Sequence, residues 1–175
     1  MELIIMRHGE TELNKTGRFQ GCREPNLPVT PEGRAIVAAN ALRLPEHIMH
    51  IYVSPALRTH ETAEIVNTRF HLPFEENSDL RERDFGSLTG TYKKDADPAV
   101  LEADDDLTYD YRPWGGESVD EVRVRVRRFI EEVRVRGEKR VLAVTHRGVI
   151  RILYDLFPDR VQDEIAPASL HFFEI

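Results

Sequence analysis

Three short apolar runs, at residues 3–6 (Leu-Ile-Ile-Met), 51–53 (Ile-Tyr-Val) and 141–144 (Val-Leu-Ala-Val), each give way at once to polar residues and then to a helical pattern. Runs of this length, rich in β-branched side chains and alternating with helices, predict parallel strands of an α/β fold. The first helix is expected where Thr30 can cap and Pro31 can occupy the first turn, with Ile36, Val37, Ala41 and Leu42 at helical spacing. The second repeats the device with Ser54 and Pro55 and carries Leu57, Ala63, Ile65, Val66 and Phe70. A third runs from a capping box at Ser118 and Glu121 through Val122, Val126, Phe129, Ile130 and Val133, and stops near Gly137. A last helix over 149–156 and a closing edge strand over 170–175 complete the expectation. The sheet is mostly parallel, with helices on both faces in a three-layer sandwich. Between 91 and 113 no periodicity survives; the segment holds Glu102, Asp104, Asp105, Asp106 and Asp110 between the breakers Pro98 and Pro113. Two readings of it stand: a solvated loop, or a lid that screens substrates by charge.

Composition narrows the class. With 175 residues, 41% hydrophobic and 31% charged, the chain fits one globular domain, and no apolar stretch near the start is long enough for a secretion signal or a membrane span. We therefore expect an intracellular, cytoplasmic protein with no membrane partner. The single Cys22 cannot form an internal disulfide, and no Cys or His spacing resembles a zinc site, so neither a structural metal nor a cofactor is implied. A net charge of −7 disfavours nucleic acid as a partner, since affinity for the phosphate backbone needs a positive footprint. The arginine-rich stretch 123–140 is expected to be a solvated helix face, with Glu121–Arg125, Arg127–Glu131 and Arg128–Glu132 as i,i+4 pairs. Oligomeric state is not readable.

The candidate chemistry sits just after the strands. In open α/β sheets the ligand crevice lies beyond the carboxyl ends of the strands. There the sequence places Arg7, His8, Gly9, Glu10 and Thr11; then Ser54, Pro55 and Arg58; then Thr145, His146 and Arg147. Taken singly, each histidine reads as a hydrogen-bonded core residue and Arg58 as a surface arginine. Together they put two histidines and two or three arginines at one sheet edge, and uncompensated positive charge there is costly unless an anion offsets it. The planar arginine fork and a helix N-terminus both suit a phosphate.

The pieces Arg7-His8-Gly9-Glu10-Thr11, Asn14, Phe19-Gln20-Gly21, Thr30-Pro31-Glu32-Gly33, Ser54-Pro55-Ala56-Leu57-Arg58 with Thr62-Ala63, Leu80-Arg81-Glu82-Arg83 with Phe85-Gly86, Gly115-Gly116-Glu117-Ser118 and Val144-Thr145-His146 follow in order. This series resembles the histidine phosphatase superfamily, which contains the phosphoglycerate mutases, and the resemblance spans nearly the whole chain. It implies a phosphoglycerate mutase-like fold over 1–175, with 91–113 as an insertion over the active site. It also implies His8 as nucleophile, Glu82 as proton donor, Arg7, Arg58, His146 and Asn14 as phosphate ligands, and Gln20 and Gly21 as substrate contacts. A protonated His146 and two arginines would then do what a metal does elsewhere.

Arg147 stands where such proteins usually have glycine, and His60 and Glu61 replace more usual neighbours, a change expected to be structural. The chain lacks the longer tail that resemblance to mutases would lead one to expect. The expectation is accordingly a metal-independent phosphatase acting on a small-molecule phosphomonoester through a phosphohistidine. A mutase, a phosphohistidine protein phosphatase and a non-catalytic phosphate-binding module are the alternatives.

Overall fold

The computed structural model describes residues 1–24 and 26–175. Five strands, β1 (Glu2–Arg7), β2 (His50–Val53), β3 (Phe74–Glu76), β4 (Arg140–Thr145) and β5 (Leu170–Glu174), form one sheet in the order β3-β2-β4-β1-β5. β1, β4, β2 and β3 pair in parallel, and β5 closes the edge antiparallel to β1. The helices are α1 (Glu12–Lys15), α2 (Pro31–Ala41), α3 (Leu57–Phe70), α4 (Pro98–Asp105), α5 (Val119–Arg136) and α6 (Arg147–Leu156). This is the expected α/β sandwich with a mostly parallel sheet.

The alternation of side chains along β1 builds both layers. Leu3 and Ile5 join the core with α5 and α6 residues such as Val126, Phe129, Ile150 and Leu153, whereas Ile4 and Met6 join Val37 of α2 and Ala63 and Val66 of α3. All four strand residues are fully buried, as a central parallel strand requires. Among the described residues no helix is long and apolar enough to cross a membrane.

Several local expectations change. The three-residue strand β3 went unread, because Phe-Glu-Glu has no apolar run. Thr30 does cap α2, accepting from Gly33 N at 3.1 Å, but Ile36 and Leu42 lie exposed while Val37 and Ala41 face the core. Ala56, not Ser54, occupies the cap position of α3, which frees the Ser54 hydroxyl for another partner. The last helix begins two residues earlier than expected, at Arg147.

The 91–113 segment contains the helix α4, capped by Asp97, which accepts from Ala99 N at 2.9 Å. The capping box of α5 forms as expected, with Gly137 left-handed at its end. Its arginine pairing does not. Glu121 is spent on the cap, and Arg125 is buried, donating to Asp79 O at 2.7 Å and facing Glu117 at 3.3 Å. Arg128 pairs with Asp79 outside the helix, a tertiary partner that outcompetes a weak i,i+4 contact, while Glu131 pairs with Arg134 one turn on, at i,i+3, instead of with Arg127.

Candidate active site

Strand register explains why the chemistry converges. Arg7 lies opposite Thr145 across the β1–β4 ladder and Val53 opposite Val144, so His8, His146 and Ser54 emerge side by side at the carboxyl ends of three adjacent strands. The rings of His8 and His146 stand 5.1 Å apart, edge to face. His8 N donates to Thr145 O at 2.9 Å, and its carbonyl accepts from Ala168 N at 3.1 Å, so the backbone is held from both sides. Gly9 N donates to the Thr62 hydroxyl at 3.0 Å, which in turn donates to Arg58 O at 2.7 Å, locking this loop to the first turns of α3.

His8 Nδ1 lies 2.7 Å from Gly9 O. A carbonyl only accepts, so Nδ1 carries the hydrogen and the Nε2 lone pair is free. Burial first, then the charge of Arg58 and the proximity of His146 and Arg7, hold this imidazole well below the usual histidine range. It is neutral at pH 7. His146 bonds the Ser54 hydroxyl through Nε2 at 2.7 Å, while its Nδ1 is buried without a partner among the described residues. Burial, followed by Arg58, Arg125 and Arg7, holds His146 well below the usual histidine range as well, so the ring is neutral in the free protein, whereas the sequence reading has it protonated over a phosphoryl group.

Arg7 and Arg58 are both buried, and burial lowers each to about 10, still cationic at neutral pH. Backbone carbonyls orient them: Arg7 donates to Ile165 O at 2.8 Å, and Arg58 to Glu24 O at 2.8 Å and Gly21 O at 3.3 Å. The Nε atoms of both remain unpartnered among the described residues. Buried donors of this kind are poised for an anion with several oxygens.

Glu82 is carried by the segment after β3, which Thr145 pins by donating to Leu80 O at 2.6 Å. Its carboxylate accepts from Arg83 N at 2.8 Å and from Gly148 N at 3.3 Å. Burial pushes this carboxyl up, but the Arg83 charge, the two N–H donors and Arg58 together outweigh it and leave it below the usual range. A cavity of about 220 Å³ opens onto this group, lined among others by Cys22, Ser54, Arg58, Arg81, Glu82 and His146.

Of the residues singled out in the sequence, His8, His146, Arg7, Arg58 and Glu82 converge. Asn14 and Gln20 form an adjoining network: Asn14 Oδ1 accepts from Thr11 N at 3.0 Å, and Gln20 Oε1 accepts from the Thr11 hydroxyl at 2.9 Å and from Asn14 Nδ2 at 3.2 Å. The Gln20 amide nitrogen is buried and unpartnered among the described residues. Gly21 is contacted by Arg58 and has no room for a side chain, since a Cβ there would stand 2.8 Å from Arg83 O. Arg147 lies 3.9 Å from Asp104 at the start of α6. Glu61 has the structural role expected of it, accepting from Val29 N at 2.6 Å and pairing with Arg34 at 3.0 Å, and His60 faces Glu76 at 3.2 Å.

Three residues escaped the sequence reading: Ser54 as partner of His146, Arg83 beside Glu82, and Asp104 on α4. Arg83 carried a visible signal within the Leu80–Arg83 stretch, whereas Asp104 was indistinguishable from its acidic neighbours. The acidic stretch is no uniform charge screen, because Asp104 is buried against Arg83 and Asp110 pairs with Arg112 at 2.7 Å. Among the described residues no group of three or more His, Cys, Asp or Glu side chains could hold a metal ion.

The profile of the histidine phosphatase superfamily (branch 1) matches residues 3–171. The chain belongs to that superfamily. This histidine phosphatase is 36% identical over 162 residues to a metal-independent phosphoserine phosphatase of Arabidopsis thaliana, covering 87% of this chain and 67% of the relative. It is 33% identical over 141 residues to phosphoserine phosphatase 1 of Hydrogenobacter thermophilus, covering 75% of this chain and 63% of that protein. The crystal structure of a phosphoglycerate mutase from Thermus thermophilus superposes with a TM-score of 0.79 at 33% identity, covering 97% of this chain and 91% of the other. The fold is therefore phosphoglycerate mutase-like, and the histidine phosphatase is a phosphoric monoester hydrolase.

Proposed function

We propose that the protein hydrolyses a small-molecule phosphomonoester without a metal, through a phosphohistidine on His8. The observation that carries this reading is the His8 ring itself: neutral, with Nδ1 spent on Gly9 O and Nε2 free among buried cations. In the first half-reaction Nε2 attacks phosphorus in line and the P–O ester bond breaks. Arg7, Arg58 and the His146 Nδ1 edge stabilise the charge spread over the equatorial oxygens, the task that metal ions perform in other phosphoryl transfer sites. The departing alkoxide takes a proton from Glu82. In the second half-reaction Glu82, now a carboxylate, removes a proton from water as the water oxygen bonds to phosphorus and the N–P bond breaks, releasing inorganic phosphate.

Glu82 starts as a carboxylate in the free protein. Arrival of the phosphoester opposes the field of Arg7 and Arg58 and raises its proton affinity, so that Glu82 takes up one proton, from solvent or from the monoanion of the ester, before the acid step. The proton it removes from water in the second half-reaction returns it to that form. Asn14 and Gln20 are assigned to the rim of the phosphate pocket, and Gly21 to the backbone approach of substrate. The roughly 220 Å³ cavity favours a compact ester over a protein substrate. Phosphoserine is the first candidate because two relatives are named for it. A mutase is the second reading, favoured by the Thermus neighbour.

The test is release of phosphate from a panel of metabolite esters, phosphoserine included, in the presence of EDTA. Hydrolysis should persist in EDTA, the label of a phosphorus-labelled ester should appear in inorganic phosphate, and His8→Ala should abolish turnover. Transfer of label to an organic acceptor would establish the mutase instead. Full activity of His8→Ala would end both readings.

A further inference from the structure

The buried charges next to the proposed proton donor do not end with Arg83. Its guanidinium is almost inaccessible and packs over the rings of Phe85 at 4.8 Å and Tyr109 at 5.1 Å. On one side its Nε stands 3.4 Å from Glu82 Oε1, and on the other its NH1 pairs with Asp104. Asp104 is buried at the end of α4, where Tyr111 donates to its Oδ1 at 3.2 Å and Arg151 and Arg147 face its Oδ2 at 3.5 and 3.9 Å. The array has no slack at Glu82, since a Cβ on Gly148 would stand 2.2 Å from Glu82 Oε1 and 2.4 Å from Arg83 Nε.

We propose that Arg83 and Asp104 are positioning residues for Glu82, in which Asp104 shares the charge of Arg83 so that Arg83 can hold the Glu82 carboxyl in place without stripping it of the proton it must deliver. This rests on the assignment of Glu82 as the proton donor. The physical reason is competition for one cation. A buried guanidinium with a single carboxylate partner stabilises the ionised form of that partner strongly, and a second carboxylate divides the effect. The insertion that carries α4 thereby reaches the chemistry through one residue, and its other acids are dispensable for it.

The remaining ionisable groups that act on Glu82 are Arg7 from β1, Arg58 from α3, Arg125 from α5, Lys93 and Tyr109. None of these pairs with Asp104 among the described contacts, so its removal changes Glu82 through Arg83 and through the unneutralised Arg147 and Arg151. Both routes act in the same direction, toward a more firmly ionised Glu82.

The test compares the whole protein with Asp104→Asn, Arg83→Gln and Glu82→Gln, using p-nitrophenyl phosphate, which needs no proton on leaving, and phosphoserine, which does. For Asp104→Asn the alkaline limb of the phosphoserine kcat/KM profile should move down by about one pH unit, and phosphoserine should lose about tenfold more rate than p-nitrophenyl phosphate. For Arg83→Gln the limb should move up, because burial of Glu82 is then less opposed. If Asp104→Asn does not fold, as judged by circular dichroism, the upward shift in Arg83→Gln decides. Equal slowing of both esters with unmoved profiles would overturn the inference. Glu82→Gln separates the two levels when read in kcat/KM, which reports only the first half-reaction: if kcat/KM falls equally for both esters, the acid assignment itself fails, whereas a selective loss there with no selective loss in Asp104→Asn defeats the positioning role alone.

Discussion

Gly148 shows how closely the site is built. Its N–H reaches Glu82 at 3.3 Å, and the contact is possible only because no side chain intervenes. We expect Gly148→Ala to push the carboxylate off the leaving group and to cost about 10²-fold in turnover of esters with poor leaving groups, the lower range of what a positioned acid contributes. p-Nitrophenyl phosphate should suffer far less, and steady-state kinetics on the two esters would show it; equal loss would mean that the backbone N–H, and not the acid, is what the glycine protects. At single positions, geometry was more legible in the sequence than charge. His8, Arg7, Arg58 and His146 could be read because strand ends bring them to one edge whatever the loops do. The charge state of His146 could not, since it depends on burial and on Arg58 and Arg125, neither of which is a property of the ring.

Strands β1, β2 and β4 were visible as apolar runs because a parallel strand buried on both faces must be apolar at successive positions. β3 was invisible for the converse reason: at the sheet edge, Phe74-Glu75-Glu76 needs only one covered side chain and borrows its backbone bonds from β2. Capping chemistry located α2 and α5 correctly through Thr30 and Ser118. It misplaced the start of α3, because Ser54 had a stronger partner in His146 than in a helix N–H. The arginines of α5 illustrate the limit of patterns within one helix: Arg125 and Arg128 turn to Glu117 and Asp79, which lie outside the helix. α4 was hidden for a related reason, since Asp104 is buried by cations from α6 and from the Glu82 segment that no local pattern could announce.

The two cores meet across one sheet, and the charged groups buried at its edge couple folding to pH. His171 of β5 is hydrogen-bonded to Tyr154 Oη at 2.9 Å and Ser169 Oγ at 2.7 Å, and burial above all, with Arg7 adding to it, lowers its pKa to about 4. His8 and His146 are lowered for similar reasons. The unfolded chain takes up protons on these rings near pH 6.5 while the folded chain does not, so stability is complete above that value and falls as pH drops below it. His171 alone should contribute a loss on the order of 2 kcal/mol by about pH 5. Urea midpoints should therefore fall between about pH 7 and about pH 5, before ordinary carboxylates titrate; a flat or rising profile would contradict the buried neutral state of these rings. The covalent step itself is tested by rapid quenching of the protein with phosphorus-labelled ester in EDTA, followed by location of the label. The expected result is a protein-bound phosphate that survives alkali, is lost in acid, maps to Nε2 of His8 and is absent from His8→Ala. Turnover with no such adduct, or an adduct on His146 or any other side chain, would contradict it.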